Sequence, residues 1–464
     1  LAICCGLIPF LGNSQYKVDP TTLKIKVVAK NLEIPWDLVA EQGSHHLWFT
    51  EKKGTVNRME ISSGEVNTIL NLDTVFVSKV ENSGLHSLAF HPHNDSNYFY
   101  CHYAYDSLGT RLTRFEYDPV NYRILSQQHL IPHIDGARSH NGSRMVFGPD
   151  GKLYISIGDA YQFQPAQDLN SPNGKVLRLN SDGSIPLDNP FLTTYVWSYG
   201  HRNPQGLTFG PHGLLYNSEH GPTTDDELNL VEKGKNYGWP MINGFCDLPS
   251  EKKHCKLKDL TDPIKAWTPT VAPSGLTYFN HESIPEWENS LLQALLKARK
   301  LAVLHLDSAG RKVLEQTGYL DVDYYRLRDV EVAPNGKVYI STSNLEVSNP
   351  PKRRDDDKII EISNVDYNYD NRTSSAKFPK KPFVKIWVNE KDGQLQLKFR
   401  EADVALELQL TTYYGGELYS DSFDTTKKTY AIGFFPETSG TYFLKMTLEN
   451  GDRLIRRMTY TVTK

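Results

Sequence analysis

Short apolar runs of period two, broken by polar turns, fill roughly the first three quarters of the chain. Four of them share one frame. His91-Pro92-His93-Asn94 leads into Tyr98-Phe99-Tyr100, and Gly148-Pro149-Asp150-Gly151 into Leu153-Tyr154-Ile155. Gly210-Pro211-His212-Gly213 leads into Leu214-Leu215-Tyr216, and Ala333-Pro334-Asn335-Gly336 into Val338-Tyr339-Ile340. Proline presets φ in such a turn and glycine takes positive φ, with Asn94 standing in for glycine in the first copy. Alternation predicts strands in these runs and in 56–59, 112–115, 176–179, 302–306 and 359–362. The copies recur about every 50 to 65 residues, too far apart for a hairpin and suited to four-stranded propeller blades. Six blades are expected between residues 20 and 365. Residues 288–297 have helix propensity, but their place in a blade predicts a strand.

Residues 366–381 are polar and unpatterned and read as a linker. Alternation resumes at 383–388, 395–399, 405–410 and 440–446, and predicts a small β-sandwich over 382–464. The expected fold class is all-β: a six-bladed β-propeller followed by a small C-terminal β-sandwich. The stretch from Gly440-Thr441-Tyr442 to Gly451, with Arg456 and Arg457, resembles C-terminal domains that direct export by the type IX secretion system. That likeness covers only the tail and implies a sorting role.

Residues 1–11 are apolar but too short to span a bilayer, and Gly12-Asn13-Ser14-Gln15 follow. Residues 1–14 read as the remnant of a signal peptide, with a buried first strand as the alternative. Either a periplasmic, cell-surface or secreted location follows from the first reading. No other segment has the length and apolarity of a membrane helix.

With 464 residues and a net charge of −4, the chain exceeds a single small domain and carries no basic stripe for nucleic acid. Its 26 Tyr, 32 Gly and 26 Pro suit strands and tight turns. Cys246 and Cys255 flank a polar loop and could close a disulfide in an oxidising compartment. Their spacing offers no second ligand pair for zinc. Cys101, in an aromatic strand, reads as a buried thiol.

The stretch from Ser139 to Asp159 carries the first sign of chemistry. A turn at Pro149-Asp150-Gly151 folds it into an antiparallel pair, which brings His140 back beside Asp159. A histidine oriented by a buried carboxylate is the usual form of a general base, and it also occurs as a plain structural hydrogen bond. Arg202, Lys297, Arg326 and Arg328 come from three further segments. One arginine alone is most often an ion-paired surface residue. Four cations converging on a channel mouth suggest an anionic ligand, and Arg suits carboxylates.

Two long motifs then identify a family. Ser198-Tyr-Gly-His-Arg-Asn-Pro-Gln-Gly206, and Glu219-His-Gly-Pro222 followed by Asp226-Glu-Leu-Asn229 and Gly234-Lys-Asn-Tyr-Gly-Trp-Pro240, resemble soluble glucose/sorbosone dehydrogenases and aldose sugar dehydrogenases. Those enzymes use pyrroloquinoline quinone (PQQ) and Ca²⁺. The resemblance runs from about Asn31 to Ile362. It implies His140 as catalytic base and Asp159 as the carboxylate that orients it. It places Arg202 and Asn203 at the quinone, Lys297, Arg326 and Arg328 on the PQQ carboxylates, and Thr270 as a further contact. It gives the main-chain carbonyls of Gly221 and Pro222 to Ca²⁺, and leaves Asp225, Asp226 and Glu227 as turn groups. Asn82 stands where relatives often carry Gln or Glu and is the implied substrate contact. His86 and Ser143 are departures, at positions where an apolar residue and a glycine are usual.

The implied reaction oxidises the anomeric carbon of an aldose to a lactone, with Arg202 stabilising charge on the reduced cofactor and a separate electron acceptor. Two alternatives share the architecture: a calcium-dependent lactone hydrolase, and a non-catalytic binding propeller resembling the hedgehog-interacting proteins.

Overall fold

A computed structural model describes residues 14–18, 20–41, 45–78, 82–91, 97–258, 260–321, 323–346 and 357–369, and the backbone of the strands between 384 and 460. Most of the expected signal remnant and linker lie outside the described residues. The chain divides into two compact units, and the first holds all the residues from 152 to 368.

That first unit contains six antiparallel sheets. The innermost strands are Pro35–Ala40, Leu85–Phe90, Gly142–Phe147, Pro204–Phe209, Pro273–Phe279 and Leu327–Val332. Each packs against its counterpart in the next sheet, and Leu327–Val332 returns to Pro35–Ala40, so the ring closes. Five sheets have four strands laid down in sequence order from the inside outward. The sixth differs. Its strands Leu327–Val332, Val338–Thr342 and Asp357–Asn364 are completed by Thr21–Leu32 and Ser14–Val18 from the other end of the chain.

Blades bury both faces, so their middle strands are buried on both sides rather than alternating between core and solvent. Leu153–Ile157, Lys175–Leu179 and Ser290–Leu295 are buried at every position. The last of these bears out the strand expected over 288–297. A separate apolar cluster fills each of the six gaps between blades. Phe279, Leu292 and Val303 meet Ile25, Val330 and Ile360 between the fifth and sixth, for example. At ~25 cal/mol per Å² of apolar area, these gaps supply most of what holds the ring closed.

The fold expected from sequence is right for the six-bladed propeller and is corrected for the β-sandwich. The last strands of the repeat region, Leu327–Val332 and Val338–Thr342, belong to the closing blade. Beyond 382 the strands form two separate sheets. Val384–Val388, Leu395–Phe399 and Thr429–Ile432 make one, and Glu417–Ser422, Ala405–Thr412, Gly440–Leu448 and Arg453–Tyr460 the other. Alternation assigns one face to each strand but does not specify which sheet covers it, so the sandwich assignment went past what the pattern holds.

Cys246 and Cys255 form a disulfide, and Cys101 is a buried thiol, as read from sequence. Most of the segment expected as a loop is instead the start of a helix, Pro249–Lys258, which carries Cys255 itself. Glu251 in its first turn accepts the main-chain N–H of Asn243 and of Leu248 at 3.2 Å each. Among the described residues no helix is long and apolar enough to cross a membrane.

Candidate active site

Topology explains why residues so far apart in sequence share one mouth of the channel. His140, Arg202, Thr270 and Arg326 directly precede innermost strands, as does Asn82. Asp159, Gly221, Lys297 and Glu346 directly follow second strands. In an antiparallel blade both places lie at the same end. Every innermost strand also has a register shift within its first residues, at 35/38, 85/87, 142/145, 204/206, 273/276 and 327/329. Such bulges redirect side chains and gather beside active sites. Left-handed backbone at non-glycine residues clusters there too, at His140 (φ 65°), Ser143 (95°), Ala160 (49°), Tyr161 (60°), Ala272 (54°) and Tyr325 (58°). Each costs roughly 1 kcal/mol or more, tolerable only where surrounding contacts impose it.

His140 and Asp159 meet as expected, with His140 Nδ1 to Asp159 Oδ1 at 2.8 Å. Asp159 is fully buried. Its Oδ1 also accepts the main-chain N–H of Tyr161 at 2.9 Å, and its Oδ2 accepts Trp239 Nε1–H at 2.9 Å. Three donors fix that carboxylate, and it in turn fixes the imidazole. Tyr161 stacks on the His140 ring with centroids 3.8 Å apart. Neighbouring His220 is half-buried, and its imidazole is pushed down to about 3, by desolvation first and then by His140, Arg202 and Arg328. Its neutral ring donates Nε2–H to the Pro273 carbonyl at 2.9 Å.

The four expected cations split into two depths. Arg202 is held by its own backbone, N–H to Glu219 Oε2 at 2.7 Å, and its Nη1 donates to the His220 carbonyl at 2.9 Å. Its guanidinium lies 5.3 Å from the Trp239 ring, and burial lowers its pKa. Lys297 Nζ donates a hydrogen bond to Thr270 Oγ1, which brings two separately expected cofactor contacts together. Arg326 stands at the mouth, 3.6 Å from Glu346. Arg328 lies deeper and is fully buried. It is paired with Glu346, lies 4.0 Å over the Trp36 ring, and reaches Gln205 and Ser343 at 3.3 Å. Burial brings it down to about 10, against the pull of Glu346. The Nε atoms of Arg202, Arg326 and Arg328 are buried without a hydrogen-bond partner. Unsatisfied guanidinium donors at the mouth (Arg202, Arg326) and below it (Arg328) are the chemistry that suits a polycarboxylate ligand.

Gly221 lies on a turn that only glycine fits. A Cβ there would be 2.0 Å from the Thr224 carbonyl oxygen and 2.6 Å from that of Asp225. The Gly221 N–H is held by Asp226 Oδ1 at 2.8 Å, while Asp226 Oδ2 takes Val271 N–H at 2.6 Å and Ala272 N–H at 2.7 Å. Glu227 takes Gly244 N–H at 2.7 Å. Asp226 is therefore committed to backbone N–H groups through both oxygens, and Glu227 to one of them, with Asn229 Nδ2 at 3.0 Å. Main-chain carbonyl oxygens, as on this turn, are donors of the type calcium takes. Among the described residues no three His, Cys, Asp or Glu side chains group to hold a metal. Asn203 Oδ1 accepts the Gly142 N–H at 3.2 Å, bracing the strand that follows His140. The Asn82 carbonyl accepts His86 Nε2–H at 2.8 Å. Desolvation pushes this buried imidazole down to about 3, against the opposing pull of that hydrogen bond, and so keeps it neutral.

Sequence reading passed over Trp239, Tyr161, Glu219 and Glu346. Trp239 and Glu219 stand inside the quoted motifs. Glu346 follows a second strand as Asp159 does, a positional signal visible once blades are aligned.

Comparison with known proteins places this geometry. A family model described as Glucose / Sorbosone dehydrogenase matches residues 32–348. The chain belongs to that family and is an oxidoreductase of the sugar dehydrogenase type. The quinoprotein glucose dehydrogenase B of Acinetobacter calcoaceticus is 29% identical over 423 residues, 72% of this chain and 88% of the relative. The aldose sugar dehydrogenase YliI of Escherichia coli K12 is 30% identical over 361 residues, 72% and 94% respectively. The PQQ-bound form of aldose sugar dehydrogenase from Streptomyces coelicolor shares a TM-score of 0.64 at 30% identity, covering 74% of this chain and 99% of that one.

Proposed function

We propose that this protein oxidises the anomeric carbon of an aldose to a lactone, with PQQ and Ca²⁺ at the channel mouth and a separate electron acceptor. The observation that carries the reading is His140, oriented by a triply held Asp159, on the same mouth as guanidinium donors lacking partners. When bound, PQQ accepts hydride and Ca²⁺ polarises its reactive carbonyl.

The rest is the chain's own work. Asp159 engages His140 Nδ1, so Nε2 takes the proton of the anomeric hydroxyl. Trp239 and the Tyr161 N–H keep Asp159 from turning away. Arg202, poised between the Asp159 and Glu219 carboxylates, offers positive charge where negative charge develops. Lys297 with Thr270, and Arg326, would hold cofactor carboxylates at the rim. Arg328 supports them from below through Glu346. The carbonyls of Gly221 and Pro222 would hold the metal, and Asn82 would meet the sugar. The disulfide and the signal-like start support export to an oxidising compartment.

The test is reconstitution of purified protein with PQQ and Ca²⁺ and dye reduction across an aldose panel. Tight, Ca²⁺-dependent PQQ binding and aldose-dependent reduction are expected. Absence of PQQ binding with Ca²⁺ present refutes the proposal.

A further inference from the structure

The turn that bears the two implied metal carbonyls is braced by a segment with no role in the chemistry above. Past Gly221 the chain runs through Pro222 and Thr223, both exposed, and returns at Asp226, whose Oδ1 takes the Gly221 N–H. The Thr224 carbonyl lies so close to Gly221 that no Cβ fits between them. Asn243 holds that carbonyl. Its Nδ2 donates to Thr224 O at 3.1 Å and lies 3.3 Å from Asp225 Oδ2. Gly244, next in the chain, sends its N–H to Glu227 Oε1 at 2.7 Å. It also backs onto Asp225, since a Cβ on Gly244 would be 2.7 Å from the Asp225 Cβ. Asp225 is left-handed, with φ 57°, a conformation its surroundings must impose. Asn243 and Gly244 thus clip residues 224–227 in place.

Beyond Gly244, burial does little to hold the clip. From Phe245 to Ser250 every residue except half-buried Cys246 is exposed. Glu251 accepts the N–H groups of Asn243 and Leu248, and Asp262 accepts that of Cys246, all at 3.2 Å. Hydrogen bonds on open segments are worth little net, because water replaces them. The disulfide from Cys246 to Cys255 is the bond that water cannot replace, and it closes a short loop around those contacts. Both cysteines are half-buried, within reach of a small dithiol.

We infer that Asn243 is a positioning residue for the metal, and that the Cys246–Cys255 disulfide sets how firmly it acts, so that reducing this bond lowers calcium affinity. This rests on the proposed binding of Ca²⁺ and PQQ. Asn243 acts through the Thr224 carbonyl on the turn whose Gly221 and Pro222 carbonyls would hold the ion. Reduction by a dithiol breaks the S–S bond, yields two cysteine thiols and leaves the reductant as its own disulfide. The clip then loosens, and the turn must be ordered when the ion binds, which weakens binding. Full metal loading is thereby tied to an oxidising compartment, where the disulfide persists.

The test titrates calcium calorimetrically, with PQQ present, into wild type, Asn243→Ala and the double variant Cys246→Ser/Cys255→Ser. Each is measured before and after reduction by a dithiol that is then removed without air. Asn243→Ala and the double variant are each expected to raise the calcium Kd about 3- to 10-fold, the range of one lost hydrogen bond. Reduction should do the same to wild type and nothing to the double variant. It should add little to Asn243→Ala, because both changes act on one path. The Tm without calcium is the control, since a brace that serves stability alone would lower it and leave the Kd unchanged. An unchanged Kd in Asn243→Ala, or a reduction effect that persists in the double variant, overturns the positioning role and leaves the proposed function standing. Wild-type protein that takes up no calcium refutes that function, and the positioning role with it.

Discussion

Replacing Arg144 by Met tests what holds the channel beneath the site. Arg144 is buried, its Nη1 paired with Asp37 Oδ1 and lying 3.2 Å from Asp329 Oδ2. Its Nε donates to the Gln205 carbonyl at 3.2 Å. Asp37 Oδ2 accepts Leu88 N–H at 2.8 Å, and Asp329 Oδ2 accepts Leu38 N–H at 2.6 Å. On the fifth blade Gly275 leaves room for the network, since a Cβ there would be 1.7 Å from Asp329 Oδ1. Arg144 and the two carboxylates it pairs thus tie strands of the first, second, third, fourth and sixth blades, and Gly275 of the fifth borders the network. Met matches its bulk but leaves two carboxylates facing each other in low dielectric. Breaking such a buried pair costs about 3–5 kcal/mol. For a unit of roughly 350 residues at about 2.1 cal/mol/K per residue, that is a Tm loss of about 4–7 °C. The pH dependence follows from sign. Burial raises the Asp329 and Asp37 carboxyls above their ordinary range, and Arg144 opposes this. A carboxyl whose folded pKa is raised binds more protons folded than unfolded, so stability falls as pH rises from about 4 toward the folded value. Without Arg144 that fall extends further, at up to about 1.4 kcal/mol per pH unit per proton. Calorimetry from pH 5 to 8 should show a steeper Tm decline in Arg144→Met than in wild type. Equal Tm values with parallel pH profiles would refute the reasoning.

Three further outcomes are expected. His140→Asn should bind PQQ normally in an absorbance titration yet lose on the order of 10²–10⁴ in turnover; near-normal turnover would return His140 to a structural role. Gly221→Ala must displace the Thr224 carbonyl, and should weaken calcium binding at least tenfold by calorimetry while leaving the fold intact by circular dichroism. Ser143→Gly relieves a φ of 95°, and should stabilise the protein by up to about 1 kcal/mol in a denaturant melt despite the added unfolded-state entropy.

Much of the site was legible because a propeller turns sequence position into spatial position. Once the Pro-x-Gly turns set the blade frame, residues before innermost strands and after second strands fall on one mouth, and His140, Asp159, Arg202, Thr270, Lys297 and Arg326 all follow that rule. Depth was not legible. Arg326, just before the innermost strand Leu327–Val332, and Arg328, within it, are two residues apart and read alike in sequence, but one stands at the rim and the other, beside the register shift at 327/329, lies in the channel against Trp36. The helix Pro249–Lys258 was missed because its polar surface has no apolar period; the disulfide at its own Cys255 and Glu251 hold it locally. The sandwich was over-read for the opposite reason, since period two is satisfied by any half-covered sheet.

The closing blade adds a consequence for assembly of the site. Thr21–Leu32 pairs with Asp357–Asn364 from the far end of the propeller sequence. The Asp357 carboxylate accepts the N–H of Ile34 at 3.1 Å and that of Asn344, bridging the first innermost strand and the loop that carries Glu346. Asn344 Oδ1 in turn takes the Arg326 N–H at 3.0 Å. Arg326, Arg328 and Glu346 are therefore fixed only when the chain's two distant segments meet. A contact of such long sequence separation bears a large closure entropy and forms late. His140, Asp159 and Arg202 need only the third and fourth blades. The half of the mouth that orients the proton can form from local contacts, whereas the half suited to an anionic ligand waits for the ring to close.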